Sequence, residues 1–271
     1  MSETLTRDAG DAGLVLNKRH MAFDLDGGIG ARASIGLIVL ATDQTIEYEF
    51  RRILDLAGVA LYESRIFNDT NITPETLAAM GPRIAAATEV ILPDVALDVI
   101  GFGCTSASMV LGPAAVRERI QEARPGVAWS NPMVAAFAAF AALGVRRVAL
   151  LTPYVDEINN AMRAHIEDNG FAVTVMGSFN EGNDSRAARI SPESVRAAAL
   201  ELGRSDHVDA VFVSCTSLRL VDVVTDLEAD LGKPVTSSNH ALAWHCLRLA
   251  GIADALPQYG TLYDKDIVPT A

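Results

Sequence analysis

The same succession of elements occurs twice along this chain, and that repetition constrains the fold more than any single motif does. The first pass opens on the apolar run IGLIVLAT (35–42) and closes on NPMVAAFAAFAALG, which ends at Gly144. The second opens on VRRVALLT (145–152) and closes on NHALAWHCLRLAG (239–251). Landmarks keep their order and nearly their spacing. Thr42 and Thr152 lie 110 residues apart, Cys104 and Cys215 lie 111 apart, and Asn131 and Asn239 lie 108 apart. Thr73 and Ser191 lie 118 apart, so loop lengths differ between the halves. A period this long marks duplicated domains, not a solenoid.

Within each pass, β-rich runs alternate with helical stretches. TIEYEFRRILDLA carries apolar residues at helical spacing. TPETLAAMGPRIAAATEVI reads as one helix, with Thr73 as cap, Pro74 at the first helical position and Glu75 in the first turn. Ser191, Pro192 and Glu193 open SPESVRAAALELG in the same way. LDVIGFG is a strand running into Cys104, and VDAVFVS is one running into Cys215, followed by a helix over LVDVVTDLEADLG. Alternation of this kind predicts an α/β fold of two similar open parallel sheets, each covered on both faces. Pseudo-twofold packing of the halves places a ligand site in the cleft between them, beyond the carboxyl ends of the strands. The expected division is an N-terminal arm over 1–33, a first domain of 34–130 plus 240–271, and a second domain of 131–239. The arm holds GGIGARA (27–33), which superficially resembles a dinucleotide loop, but its glycines precede the first strand instead of following it.

Charge and composition narrow the partners. The 271 residues carry a formal net charge of −12, and such a field repels nucleic acid and anionic membranes. Half the residues are hydrophobic, yet no apolar run reaches the roughly 20 residues that a membrane helix needs. The first residues lack a basic region followed by a long apolar run. Three cysteines give no disulfide framework, in keeping with a reducing compartment. The expectation is a cytoplasmic protein with a small-molecule ligand.

A cysteine after a strand is usually a small buried hydrophobe. The pair changes that reading, because Cys104 and Cys215 are each followed by Thr-Ser. At a helix start, a thiol meets a partial positive charge that lowers its pKa, and the same N–H groups hold a carboxylate. Thr105, Ser106, Thr216 and Ser217 are candidate donors to a carboxylate and also cap residues. Arg219 is a candidate anion partner or loop support. Cys246 lies within a helical stretch and is assigned to packing. His240 and His245 are five apart, which is no metal spacing. Two opposed thiols suit stereoinversion, one thiolate removing a proton beside a carboxylate while the other thiol delivers one to the opposite face. A thiolate adding to an activated double bond gives cis–trans isomerisation instead.

The stretches IGLIVLATD, GFGCTSAS, GVRRVALLTPYVDEIN and VSCTSLR resemble the aspartate/glutamate racemase superfamily over about residues 34–255. They are most similar to its maleate isomerase-like branch and, within that, to racemase-like proteins encoded with ectoine-utilisation enzymes. The resemblance implies two cysteines facing each other across an interdomain cleft, no cofactor and no metal, and a homodimer. It matches Cys104 and Cys215 to the catalytic pair and Tyr154 to a tyrosine that contacts the substrate carboxylate. Asn183 and Asp184 fall near a further polar binding position. The chain departs from the branch at GLIVLATD, where maleate isomerases resemble GLIVPSSN, so a carboxylate-binding asparagine falls on Asp43. Two like charges about 4 Å apart repel by on the order of 4 kcal/mol at an effective dielectric near 20. An aspartate there disfavours a plain dicarboxylate and welcomes an ammonium group; its other reading is a helix cap. The leading expectation is a racemase acting on an amino-acid-like or ectoine-derived carboxylate. A maleate-type cis–trans isomerase and a non-enzymatic binding protein are the alternatives.

Overall fold

The computed structural model describes residues 16–268. Its strands form two sheets of four, and all pairing within them is parallel. In the first sheet β1 (Ala33–Leu40), β2 (Val59–Ile66), β3 (Val99–Gly103) and β4 (Ala128–Ser130) take the order β2-β1-β3-β4. In the second, β5 (Arg147–Thr152), β6 (Ala172–Ser178), β7 (Ala210–Val213) and β8 (Val235–Ser237) take the order β6-β5-β7-β8. The sequence repeat is therefore a structural repeat. Strand β1 is a continuous apolar run because both its faces are covered: Ile35, Leu37, Ile38 and Val39 are all fully buried.

Helices fill the crossovers. In the first half they are α1 (Ile46–Ile53), α2 (Pro74–Ala78), α3 (Ile84–Glu89), α4 (Thr105–Leu111), α5 (Pro113–Ala123) and α6 (Pro132–Leu143). In the second they are α7 (Asp156–Asp168), α8 (Asp184–Ala187), α9 (Pro192–Gly203), α10 (Val224–Leu231) and α11 (Ser238–Leu249). Helix α1 buries Ile46, Phe50 and Ile53, one stripe at helical spacing. Asn131 caps α6 by accepting from the Met133 and Val134 amides, and Gly144 ends it at φ 68, a left-handed position that glycine takes without penalty. Ser191 caps α9 and Thr73 caps α2 as expected.

Two helical expectations are corrected. The stretch opened by Thr73 is not one helix: α2 stops at Ala78, a tighter turn spans Gly81–Arg83, and α3 begins at Ile84. Pro82 has no N–H to give to an α-helical bond and its ring crowds the preceding turn, which accounts for the break. The helix expected over 220–232 begins only at Val224, and the Thr-Ser after Cys215 does not start a helix. Of the expected arm, residues 1–15 lie outside the described residues. Residues 16–32 form no helix or strand, and Arg32 ties their end to Asp254 and to the Gly58 carbonyl.

Each half lends a helix to the other. Helix α6 follows β4 but carries Phe140 onto Phe212 of β7, ring centres 5.3 Å apart and edge to face. Helix α11 follows β8 but sets Leu242 and Cys246 against Gly101 of β3. The sulfur of Cys246 lies 3.4 Å from where a Gly101 side chain would begin, so this cysteine packs the interior. The two exchanged helices also pack on each other. Among the described residues no helix is long and apolar enough to cross a membrane.

Gly103, the last residue of β3, has no room for a side chain. A methyl group there meets the Ile46 side chain at 2.7 Å and the Ile38 carbonyl at 3.1 Å. Gly103→Ala is expected to lower unfolding free energy by about 1–3 kcal/mol, read from urea denaturation midpoints.

Candidate active site

In each sheet the chain order reverses between the central strands, β1 beside β3 and β5 beside β7. Ligands of open α/β sheets bind at such switch points, outside the carboxyl ends of the strands. The segments that leave these four strand ends bring together Cys104, Tyr154 and Cys215 around one cavity, with Thr42 and Asp43 beside it. Asp184 from α8 lines the cavity as well. A cover over it comes from residues 68–80, where Asn68, Asn71, Ile72, Thr76, Leu77 and Met80 face inward. The cover is fastened at both sides. Asn68 donates to the Thr42 hydroxyl at 2.7 Å, the Asp184 amide donates to the Thr70 carbonyl at 3.3 Å, and Asn71 pairs with Asn183 in an antiparallel bridge. The free space inside is about 20 Å³, a water-sized volume.

The two cysteines are held differently. Cys104 is the N-cap of α4, its sulfur 3.9 Å from the Ser106 hydroxyl, and the Ser108 hydroxyl donates to its carbonyl at 2.5 Å. Cys215 sits in a non-helical turn, where the Ser217 amide donates to its sulfur at 3.4 Å. The Tyr154 side chain approaches this sulfur and favours its charged form. Tyr154 is buried and lines the cavity with both cysteines, and burial pushes its phenol well above the ordinary range.

The electrostatics reverse the expectation of activated thiols. Both are pushed up to about 12, first by burial and further by the negative field of Asp184 and Asp43. The short helix behind Cys104 does not offset this, and Cys215 has no helix behind it. Near neutral pH both groups are therefore thiols in the empty site.

The carboxylates define the charge of the place. Asp184 accepts from the Ser217 hydroxyl at 2.6 Å and from the Thr42 hydroxyl, so it joins the two halves. Asp43 uses Oδ1 as the cap of α1, accepting from the Thr45 and Ile46 amides at 2.7 and 2.8 Å. Its Oδ2 is buried without a hydrogen-bond partner; Thr216 approaches and favours the charged form without closing a bond on it. Burial pushes the Asp43 carboxyl up to about 6. Among the described residues that line the cavity there is no arginine, lysine or histidine, while Asp69 and Asp184 both line it.

Of the residues singled out by sequence, Cys104, Thr105, Ser106, Tyr154, Cys215 and Thr216 line the cavity. Thr105 spends its hydroxyl proton on Ser238 at 2.8 Å. Ser217 stands one shell back, on Asp184, and Asp43 stands behind the wall as the cap of α1. Arg219 does not line the cavity; it donates to the Ile190 carbonyl at 3.0 Å, which fits its alternative reading as loop support. The resemblance places Asp184 only near a polar binding position, and the structure sets it in the cavity wall. The asparagines of the cover follow no motif.

The model of the arylmalonate decarboxylase family matches residues 62–263. The maleate isomerase of Nocardia farcinica is 30% identical over 248 residues, 88% of this chain and 98% of that protein. The arylmalonate decarboxylase of Bordetella bronchiseptica is 32% identical over 172 residues, 62% and 71% of the two chains. A crystal structure of a cysteine-to-serine variant of the Nocardia enzyme, carrying a covalently bound succinylcysteine intermediate, superposes with a TM-score of 0.78 at 28% identity, covering 85% of this chain and 98% of that one. The chain belongs to the arylmalonate decarboxylase family and is an isomerase on the aspartate/glutamate racemase type of fold.

Proposed function

We propose that the protein inverts the configuration of a small carboxylate that also carries a cationic nitrogen, by proton transfer between Cys104 and Cys215. The observation that carries this reading is the sign of the cavity. Two thiols share it with the Asp184 carboxylate, Asp43 lies behind, and among the described residues no cationic side chain lines it. A dicarboxylate entering this place gains no counter-ion and meets like charge. An ammonium group gains a partner, and its charge lowers the pKa of the thiol beside it. One cysteine, as thiolate, then takes the proton from the carbon next to the substrate carboxylate. The electron pair moves into that carboxylate, the opposite thiol protonates the other face, and thiol and thiolate have exchanged places. Small amino acids released from ectoine answer this description, in keeping with the resemblance of the sequence to racemase-like proteins of ectoine utilisation.

A second reading is favoured by the covalent intermediate of the Nocardia relative. One cysteine adds to a carbon–carbon double bond, the resulting single bond rotates, and the sulfur leaves. Deuterium separates the two. In D₂O, proton transfer puts deuterium at the carbon beside the carboxylate of substrate and product, as seen by NMR; an isomerised alkene free of deuterium sinks the first reading. Cys104→Ser and Cys215→Ser are each expected to lose at least about 10²-fold in turnover, the scale of a proton-transfer group.

Asp43→Asn keeps the oxygen that caps α1 and removes the buried charge. Its kcat/KM for maleate relative to an ammonium-bearing acid is expected to rise tenfold or more. Binding of the ammonium-bearing acid, followed by calorimetry, is expected to weaken as pH falls through about 6, where Asp43 takes up a proton. Because folding raises this pKa from 3.8, the associated stability is full below about 4 and is lost as pH rises through about 6. Asp43→Asn is therefore expected to raise the melting temperature at pH 8 and not at pH 4.

A further inference from the structure

The turn that carries Cys215 is gripped from the opposite half by one face of α1. Thr45 donates to the Ser217 carbonyl at 3.1 Å. Glu49 accepts from the amides of Leu220 and Val221 at 2.6 and 2.8 Å, both on Oε1. Its Oε2 accepts from the Asn239 side-chain amide at 2.8 Å. That same amide donates to the Thr216 carbonyl, also at 2.8 Å. Glu49 is 1% exposed, and its hydrogen bonds here come only from neutral donors, with no arginine or lysine paired to it. Burial raises its pKa to about 7 while its donors pull the other way. Neutral donors ordered around a buried charge are costly to rearrange.

The duplicated half supplies an internal comparison. Asn159, 110 residues after Glu49, occupies the equivalent place on α7. It bonds the Thr152 hydroxyl and the Tyr154 carbonyl, within its own half, and does not reach the Cys104 turn. Asn131, the counterpart of Asn239, caps its own helix and leaves its amide nitrogen without a partner. The clamp thus acts on one cysteine of the two. Packing of the halves alone does not account for a carboxyl clamp on one side only, since both turns lie at the same kind of strand end.

We infer that Glu49 and Asn239 are positioning residues for Cys215: together they fix the backbone from Thr216 to Val221 and so hold this thiol, and not Cys104, in place against Tyr154. The inference rests on the reading of Cys215 as a catalytic group for its functional meaning, but its geometric content does not.

The test is iodoacetamide labelling of the full chain, with each cysteine followed by peptide mass spectrometry. In Glu49→Ala and Asn239→Ala the labelling rate of Cys215 is expected to rise at least fivefold while that of Cys104 changes less than twofold. Glu49→Gln, which keeps an oxygen for the two backbone amides, is expected to fall between these variants and the parent. Arg51→Ala, on α1 but paired with Glu63, is expected to leave both rates unchanged. Where turnover is measured, kcat is expected to fall tenfold or more with KM within twofold. Should Glu49→Ala not fold, Asn239→Ala decides, since Glu49 then keeps its two backbone donors. An unchanged Cys215 rate in a folded variant overturns the inference, and so does an equal rise at both cysteines, which marks general loosening. Full activity of Cys215→Ser overturns the functional reading and leaves the labelling result standing, so the two failures are distinguishable.

Discussion

A parallel sheet whose strand order reverses must send its connections apart on opposite faces, and a gap opens where they part. In this protein two such gaps look into one another. The site depends on that coincidence of strand ends, because neither half alone supplies both a second thiol and a wall. Everything that the chemistry uses hangs from backbone leaving β1, β3, β5 or β7, save Asp184 and the cover. The hydrogen-bonded registers of the central strands, Ile35 opposite Val99 and Val148 opposite Ala210, fix where those ends stop.

The second determinant is water, or its exclusion. With little free space around them, the thiols lose hydration and stay protonated, and the acidic groups nearby push them further the same way. A site so arranged does not carry a standing nucleophile that oxidants or electrophiles consume. On the proposed function it acquires one when a ligand of the right sign enters. The burial that makes the resting thiols inert is also what makes an incoming positive charge effective, since charges interact more strongly where solvent is scarce.

Much of this was legible in the sequence, for physical reasons. Strands buried on both faces must be apolar throughout, so the runs before Cys104 and Cys215 stood out, and capping needs Thr73 and Ser191 where they are. The repeat revealed which loops meet. What escaped reading depends on contacts between distant residues. The turn after Cys215 does not become a helix because the opposite half binds its amides, and no local pattern announces that. Glu49 looks like an ordinary charged residue of an amphipathic helix until its neighbours are known. Arg219 sits in a motif that invites an anion, yet a nearby carbonyl takes it. A helix start beside Cys104 is visible in sequence, whereas the burial that pushes both thiols up is not.

The exchange of α6 and α11 carries a mechanical consequence. Each sheet rests on a helix that belongs, by chain order, to the other half, and the two helices lie against each other. Swinging the halves apart like a pair of jaws would tear aromatic and aliphatic packing from both at once. The strip above the cavity is held more lightly, by a handful of amide and hydroxyl contacts and one short bridge. The exchanged helices thus tie together the two halves that carry the two sulfurs, while the cover above them hangs on far fewer contacts.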